Sequence, residues 1–303
     1  MESFLERLND IVGAMRTSNK GGTYNHHISS NTNARLILRV VQELSAIGWS
    51  HVNYLHPSLR QFHLQTADST GRMHTMQLAL GEDYPMTCPI IGADLPVPIK
   101  IQWYPQESNL STLLGTLRQL LQKCEAYFAI CEELHEHAWV LEPQSMQFSV
   151  VKRRLALGNH CSVELLLAVH DPASTVPNLQ FLGPSHALSP WKDAWEKNKS
   201  KWLDKSLDGL SFLQKLSSLL EQPIPTRQVL EKEETLECAI CYGIYVDEQL
   251  PEVICENSHC SRAFHQDCIG TYFRSGAETR QSFDTIFGEC PYCTAPMSVK
   301  VTK

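Results

Sequence analysis

The sequence lacks several features that would point to common functions. No run of apolar residues is long enough to cross a bilayer, and the net charge of −7 leaves no basic excess for binding a nucleic-acid backbone. The chain also contains no GxxxxGKS/T, GxSxG or HExxH motif. We therefore expect no membrane contact, no direct nucleic-acid binding and no self-contained catalytic site. Proteins are the expected partners.

Cysteine, by contrast, is abundant and unevenly distributed. Seven of the eleven cysteines lie in one C-terminal segment, in which the potential metal ligands follow in the order Cys238, Cys241, Cys255, Cys260, His265, Cys268, Cys290 and Cys293. Two CxxC pairs and the pair His265/Cys268 have the spacing with which two side chains bind one tetrahedral ion. We predict two structural Zn²⁺ ions, each with four protein ligands and no open position for a catalytic water.

The alternatives for these cysteines are disulfides and buried thiols. Disulfides need an oxidising compartment, whereas no signal peptide opens the chain, so we expect reduced thiols. The segment also has few large apolar residues, and metal binding should therefore supply much of its folding free energy. The remaining thiols are candidates for a thioester or a nucleophile: Cys88, Cys124, Cys131 and Cys161. For Cys124 and Cys131, which are seven residues apart on a predicted helix with apolar neighbours, burial in a core is the favoured interpretation.

The pattern of apolar and turn-forming residues in 1–145 predicts a short N-terminal region and one α+β lobe. An amphipathic helix at 2–16 is followed by a polar, Gly-rich linker, so that residues 1–32 form an N-terminal region. The lobe, 33–145, begins with a helix that runs from an N-cap at Asn33 to a stop at Gly48. A hairpin with alternating apolar residues, a strand at 97–103 and a long helix at 108–135 follow, with the hairpin's buried face formed by Phe62, Leu64, Met76, Leu78 and Leu80.

The pattern of apolar residues and cysteines in 146–303 predicts a second lobe, a linker and the cysteine-rich finger. The segment WVLEP, 139–143, looks like a joint, after which a strand at 162–169 and an amphipathic helix at 207–220 indicate a second lobe at 146–222. The linker is placed at 223–234 and the finger at 235–303. Three tryptophans among five lysines between Trp191 and Lys205 could form a nucleic-acid platform, but the solvated edge of a packed element is favoured.

The finger resembles a RING finger. In that family the ligands alternate, so that one ion would be held by Cys238, Cys241, His265 and Cys268 and the other by Cys255, Cys260, Cys290 and Cys293. The same order of ligands occurs in PHD fingers. However, the aromatic residue that PHD fingers carry two positions before the seventh ligand is Gly288 here. Ile240 in the first CxxC pair and Pro291 after the seventh ligand are typical of RING fingers.

A closer resemblance covers nearly the whole chain. The segments CAICY, ENSHCSRAFHQDC, RQSFDTIFGECPYC, WVLEP, RRLALGN and IGW are similar to those of the Fanconi anaemia complementation group L family of RING ubiquitin ligases. The resemblance implies an α+β fold of two RWD lobes, related to conjugating enzymes, followed by a small cross-braced RING finger. YPMTCP matches the YPxxxP turn of such lobes. It further implies a groove for the conjugating enzyme formed by Ile240, Tyr242, Tyr272 and Pro291.

By resemblance, the protein is an E3 ligase that binds a ubiquitin-conjugating enzyme of the T type and docks substrate on its central lobes, with no covalent ubiquitin intermediate. The implied task is monoubiquitination in DNA interstrand crosslink repair, in the nucleus and also the cytoplasm, with the Fanconi anaemia core complex and the paired Fanconi substrate proteins as partners. Two features depart from the family. Only the last helix of its N-terminal domain is recognisable, and Thr294 stands where many strongly active RING fingers carry Arg or Lys. The alternative function is a non-enzymatic PHD-like reader of histone tails.

Overall fold

The computed structural model describes residues 27–230, 237–276 and 280–300. The predicted N-terminal helix at 2–16 lies outside the described residues. The chain divides into two compact units: the first contains the described part of Met1–Thr66 with Met73–Ala93 and Ile101–Thr116, and the second contains Ala67–Arg72, Asp94–Lys100 and the described part of Leu117–Lys303. Among the described helices, none has the length and apolar character needed to cross a membrane.

The first unit opens with helix α1 (His27–Ile47). The predicted stop is confirmed: Gly48 has φ 99° and its N–H donates to the Leu44 carbonyl at 2.9 Å. The predicted start at Asn33 is wrong, because the helix begins six residues earlier, inside the segment that was interpreted as a linker. That segment, HISSNTN, is polar but contains no Gly or Pro, so nothing in it prevents a helix from extending.

Four antiparallel strands follow and lie side by side in chain order: β1 (Val52–Leu55), β2 (Gln61–Ala67), β3 (Met73–Ala79) and β4 (Ile90–Ala93). The predicted hairpin is confirmed, with Phe62, Leu64, Met76, Leu78 and Leu80 all buried. The strand predicted at 97–103 is wrong, because β4 pairs with β3 instead. Pro96 and Pro98 have no backbone N–H to donate and cannot sustain a ladder there.

Glu43 connects three segments of the first unit. Its carboxylate accepts hydrogen bonds from the Tyr84 hydroxyl at 2.5 Å and the Leu110 backbone N–H at 2.9 Å, and it pairs with Arg39 at 2.7 Å. Burial, followed by the bond to Glu43, raises the pKa of Tyr84. The YPMTCP turn is thereby fixed to α1 and to the first residue of the long helix α2 (Leu110–His137), which matches the predicted helix closely.

The second unit contains a sheet of the same plan. Its four antiparallel strands also lie in chain order: β5 (Val140–Glu142), β6 (Lys152–Gly158), β7 (Cys161–Leu166) and β8 (Asn178–Leu182). The prediction of two lobes of similar plan is therefore confirmed at the level of the sheets. The segment WVLEP is more than a joint, since its central residues form β5, an edge strand paired with β6.

Helices α3 (Ser185–Asn198), α4 (Phe212–Leu219) and α5 (Arg227–Leu230) follow β8 in the described part of the chain. The tryptophans of the lysine-rich stretch are buried, which supports a packed element rather than a nucleic-acid platform: Trp191, Trp195 and Trp202. The helix predicted at 207–220 is shorter than expected. It starts after Ser211, which forms a capping box with Gln214, and Leu210 is exposed. Helix α5 lies within the predicted linker.

The finger consists of β9 (Val253–Ile254), β10 (Ala263–Phe264), α6 (Gln266–Ser275) and a three-stranded sheet of β11 (Arg280–Ser282), β12 (Thr285–Glu289) and β13 (Pro296–Lys300). Its small core joins apolar side chains to three of the predicted ligands and contains Cys238, Ala239, Cys255, Phe264, Ile269, Phe273, Ile286, Cys290, Met297 and Val299. The finger's core is therefore made partly of its own metal-ligand candidates.

Candidate metal centres

The first four predicted ligands come together at one point of the finger. The ligand atoms of Cys238, Cys241, His265 and Cys268 all lie within 4.8 Å of one another. His265 Nδ1 is 3.3 Å from the Sγ of Cys241 and 3.8 Å from the Sγ of Cys268. Metal bonds of about 2.0 Å to nitrogen and about 2.3 Å to sulfur give a tetrahedron with N···S edges of about 3.5 Å. The geometry therefore fits one tetrahedral ion.

The other four ligands form a second group of the same size, Cys255, Cys260, Cys290 and Cys293, with all Sγ atoms within 4.8 Å of one another. The Sγ–Sγ distances are 3.5 Å for Cys255 and Cys293 and 3.8 Å for Cys260 and Cys290. A tetrahedral thiolate site with Zn–S bonds of about 2.3 Å has S···S edges of about 3.8 Å. This group also has the dimensions of a metal site.

Both groups are built from tight turns that follow the paired cysteines. Tyr242, Ser261 and Thr294, each directly after the second cysteine of a pair, have φ between 46° and 59°. Each of their N–H groups donates back across the turn, to the carbonyls of Cys238 (2.8 Å), Asn257 (2.9 Å) and Cys290 (3.0 Å) respectively. A left-handed residue at this point reverses the chain so that both thiols of a pair face the same side.

His265 is held in one orientation by the backbone. It is 2% exposed, and its Nε2 lies 3.2 Å from the Ile244 carbonyl oxygen, which can accept the Nε2 proton. With Nε2 facing this carbonyl, Nδ1 is the ring atom that faces the three thiols of its group. A second hydrogen bond of this kind fixes the tautomer of metal-binding histidines in general. The ring is therefore oriented as a ligand by the fold.

Burial, neighbouring thiols and backbone N–H groups shift the pKa values of the candidate ligand thiols. Burial raises the pKa of Cys255 and of Cys268 to about 12. Burial opposes ionisation of Cys238 as well, but backbone N–H groups nearby, including those of Cys241 and His265, lower its pKa. The Ala295 N–H lowers the pKa of Cys293 to about 7. Clustered thiolates repel each other, so the donor set is suited to a divalent cation that ionises all of its thiols.

The two groups interleave along the chain. The first takes ligands one, two, five and six, and the second takes ligands three, four, seven and eight, which is the alternation that the RING resemblance implied. Each ion would therefore connect two separated loops. Four protein ligands leave no position for a water or substrate, and this suits a structural metal rather than a catalytic one.

Of the four residues predicted for the conjugating-enzyme groove, two are exposed and two are half-buried. Tyr242 is 69% exposed and Tyr272, on α6, is 46% exposed. Ile240 is half-buried and packs against the edge of the finger's core, and Pro291 is half-buried in the last ligand pair. The exposure of the two tyrosines is compatible with the prediction, while the groove itself stays a prediction.

The sequence analysis missed one residue of this surface, Tyr292. Its hydroxyl donates to the Ala239 carbonyl at 2.5 Å, connecting the last ligand pair to the first. The Arg262 guanidinium lies 3.9 Å from the centre of the Tyr292 ring. The sequence signal for this residue is its position inside the last CxxC pair, CPYC, next to Pro291. An aromatic cage is the usual binding site for methylated lysine in readers of histone tails. Because Arg262 covers one face of the Tyr292 ring, Tyr292 is poorly placed to form such a cage.

Comparisons with known proteins agree on one family. The family models described as FANCL UBC-like domain 2, FANCL UBC-like domain 3 and FANCL C-terminal domain match residues 34–124, 126–227 and 234–302. The mouse protein "E3 ubiquitin-protein ligase FANCL" is 31% identical over 264 residues, which are 87% of this chain and 69% of the mouse protein. The chain belongs to the FANCL family. A Drosophila melanogaster relative, "E3 ubiquitin-protein ligase Fancl", is 25% identical over 198 residues, or 63% of this chain and 51% of that protein.

A solved structure supports the fold. "Crystal Structure of FANCL" matches with a TM-score of 0.59 at 20% identity and covers 86% of this chain and 72% of that chain. The predicted fold class, two lobes related to conjugating enzymes followed by a RING finger, is confirmed. So is the predicted class of enzyme: as a member of the FANCL family, the protein is a RING-type E3 ubiquitin ligase.

One local contact distinguishes the finger from the PHD alternative. A Cβ atom added at Gly288 would lie 2.6 Å from the Phe273 ring, so the position of the missing PHD aromatic is already filled from α6. Any larger side chain at 288 would have to displace a buried residue of the finger's core. The sequence difference noted at Gly288 thus has a structural cause that favours the RING architecture.

Proposed function

We propose that the two ligand groups bind Zn²⁺ and that the finger so formed recruits a ubiquitin-conjugating enzyme, of the T type, through Ile240, Tyr242, Tyr272 and Pro291. Thiolate-rich tetrahedral donor sets favour zinc. The observation that carries the recruitment proposal is the exposure of Tyr242 and Tyr272 on the finger, whereas Phe264, Ile269 and Phe273 are buried in its core. Aromatic side chains of this kind are common anchors at protein interfaces.

The central lobes are proposed to bind the substrate, and the product is proposed to be a monoubiquitinated protein of DNA interstrand crosslink repair. Support comes from the family and from the two UBC-like domain matches, since the lobes occupy most of the chain outside the finger. The proposed partners are the Fanconi anaemia core complex and the paired Fanconi substrate proteins, in the nucleus and also in the cytoplasm. Thr294, in place of a basic residue, fits the addition of a single ubiquitin.

The proposed mechanism is proximity rather than covalent catalysis. The ions stabilise the finger, and the residues of the chain bind and orient the two proteins between which ubiquitin passes. The four thiols outside the ligand groups have raised pKa values because of burial, so they are protonated at neutral pH and are poor nucleophiles. The substrate lysine would attack the conjugating enzyme's thioester directly.

A reconstituted assay tests this function. The purified chain is combined with ubiquitin, activating enzyme and a panel of charged conjugating enzymes, and the discharge of ubiquitin to free lysine is followed. We expect strong acceleration with a T-type conjugating enzyme and loss of the acceleration after chelation of the metal. Failure to discharge any member of the panel, with both ions bound, would contradict the proposal.

A further inference from the structure

The finger is attached to the second lobe by a defined apolar contact within the second unit. The segment between the second and third ligands, residues 242–254, is here named the docking loop. One cluster of buried side chains combines this loop with β5, β6 and α5 and contains Trp139, Leu141, Ala156, Leu230 and Leu250, with Ile244 and Tyr245 packed against it. Leu250 is 4% exposed yet is absent from the finger's own core cluster, so its burial depends on the lobe.

Polar contacts surround this cluster. Arg154 of β6 is 7% exposed, and its guanidinium donates to the Ser162 hydroxyl at 2.8 Å and forms an ion pair with Glu252 of the docking loop. The Tyr245 hydroxyl donates to the Leu141 carbonyl of β5 at 3.0 Å. Arg154 is buried but the Glu252 side chain is 59% exposed, and Glu142 of β5 lies 3.8 Å from the same guanidinium, so the pair with Glu252 adds direction to the contact more than stability.

The docking loop also contacts the first metal centre. The Ile244 carbonyl, which accepts from His265 Nε2, belongs to this loop, and the Ile244 side chain packs on the apolar cluster. A metal ligand and the second lobe are thus connected through one residue. Helix α5, which lies in the described part of the predicted linker, adds Leu230 to the same cluster, so this part of the linker is packed against the lobe and the docking loop.

We propose that Glu252, Tyr245 and Leu250 are positioning residues, which hold the finger at a fixed place on the second lobe and thereby determine which substrate lysine receives ubiquitin. This inference rests on the proposed function in one respect, that the lobes bind the substrate and the finger binds the conjugating enzyme. A finger on a flexible tether would present the thioester to many lysines, whereas a docked finger presents it to few. A displacement of about 1 Å can cost about a hundredfold in rate when two reacting groups must meet.

Charge reversal at the docking loop is the direct test. Glu252→Arg would place a cation against the buried Arg154 guanidinium, and Glu252 is sufficiently exposed for the finger to fold around the change. Glu248→Arg is the matched control, since it makes the same change of charge in the same loop at an exposed position outside the cluster. Tyr245→Phe is a milder second variant that removes only the hydrogen bond to Leu141.

Two rates and one structural measurement are compared in these variants of the full chain. Discharge of a charged conjugating enzyme to free lysine needs the finger alone, whereas transfer to the substrate protein needs the finger in its place on the lobe. Hydrogen exchange of peptides that cover β5 reports on docking without any activity. For Glu252→Arg we expect unchanged discharge, substrate transfer lower by about tenfold and spread over additional lysines, and faster exchange in β5. Tyr245→Phe should show the same changes more weakly, and Glu248→Arg should match the parent.

Other outcomes would overturn the inference. If Glu252→Arg transfers ubiquitin to the same lysine at the same rate as Glu248→Arg, the docking contact does not position the finger. If free-lysine discharge and substrate transfer fall together, Glu252 acts inside the finger instead. A parent chain that discharges no conjugating enzyme would reject the proposed function, while the exchange of β5 in the variants would still decide whether the docking contact holds the two parts together.

Discussion

The second lobe and the finger belong to one compact unit, but they are stabilised in different ways. The lobe buries large side chains on adjacent strands and helices, among them Leu155, Val163 and Trp202, which are all 0% exposed. The finger's cluster is smaller, and three of its buried members, Cys238, Cys255 and Cys290, are ligand candidates. Transfer of apolar surface from water stabilises the first region, and we expect metal coordination to supply much of the stability of the second.

The comparison explains why the same chain carries two kinds of sequence signal. In the lobes the signal is periodicity, and single residues can be exchanged for others of similar size. In the finger the signal is residue type at fixed spacing, because a thiolate or imidazole ligand has no apolar substitute. The expected effects of substitution therefore differ in kind between the two regions.

Loss of a ligand should have the largest effect. Cys238→Ala or Cys290→Ala leaves three ligands for an ion whose binding contributes on the order of 10 kcal/mol to folding, so the finger should unfold locally while the lobes remain folded. Metal stoichiometry by native mass spectrometry, together with circular dichroism, measures both parts of this prediction. Cys88→Ala, a cysteine outside both groups, is the control and should keep the parent's metal content. Two ions retained in either ligand variant would contradict the account.

A cavity in the lobe should have the next largest effect, and it should leave the metal in place. Leu155→Ala in β6 removes a fully buried side chain and should lower the free energy of unfolding by about 2–5 kcal/mol. Leu166→Ala in β7, where the side chain is 49% exposed, is the matched control and should cost little. Chemical denaturation measures the stability, and the metal content should equal that of the parent. Release of metal from folded Leu155→Ala would show that the two regions do not differ as described.

Substitution in the proposed groove should affect binding without affecting either source of stability. Ile240→Ala and Tyr272→Ala should each weaken conjugating-enzyme binding by about 2 kcal/mol, or roughly thirtyfold, because central apolar anchors are commonly this costly to truncate. Calorimetry measures the affinity, and thermal unfolding and metal content should stay close to the parent. Phe283→Ala is the control, since Phe283 is 97% exposed at the turn between β11 and β12 and is not part of the proposed groove.

An Ile240→Ala or Tyr272→Ala variant that is folded and binds as tightly as Phe283→Ala would place the groove elsewhere. Ile240 is the more demanding case, because it is partly buried against the finger's core, so unchanged thermal unfolding of Ile240→Ala is the check that its loss of affinity comes from the groove. Comparing the two variants therefore separates a residue used for binding from one used for packing.

The smallest effect is expected at the remaining thiols. Burial raises the pKa of Cys88, Cys124, Cys131 and Cys161, the last to about 11, so near pH 7 these groups carry little thiolate and their alkylation should become faster only as the pH rises. Replacing each with Ala should leave ubiquitin discharge per folded chain unchanged. A ubiquitin adduct on any of them that is cleaved by reductant would reveal a covalent intermediate and contradict the RING mechanism.

Residue type and spacing predicted which residues come together in the finger more accurately than periodicity predicted the strands. The eight candidate ligands lie in two groups with the alternation that the RING resemblance implied, which CxxC spacing alone does not determine. No strand forms at 97–103, because Pro96 and Pro98 cannot donate backbone hydrogen bonds, and β4 lies earlier in the chain. The three residues of β5, within WVLEP, are too few to show an alternating apolar pattern. Helix α5 was too short to stand out from its proline-rich surroundings.

The contact between the finger and the second lobe had no signal in the sequence. Arg154 and Glu252 are separated by 98 residues, and the basic run KRR at the start of β6 does not indicate which acidic residue is its partner. The sequence around Leu250 likewise does not indicate that this leucine is buried against the second lobe. Contacts between parts of a chain depend on tertiary structure, whereas metal sites and hairpins are largely encoded within short segments.

Removal of metal from the unmodified chain tests the central claim most directly. Native mass spectrometry should find two Zn²⁺ ions per folded chain, and a chelator strong enough to remove both should abolish the finger's protection from hydrogen exchange while the sheets of both lobes stay protected. Addition of Zn²⁺ should restore the finger. A finger that keeps its protection after both ions are lost, or a chain that binds no metal while discharging its conjugating enzyme, would contradict the account.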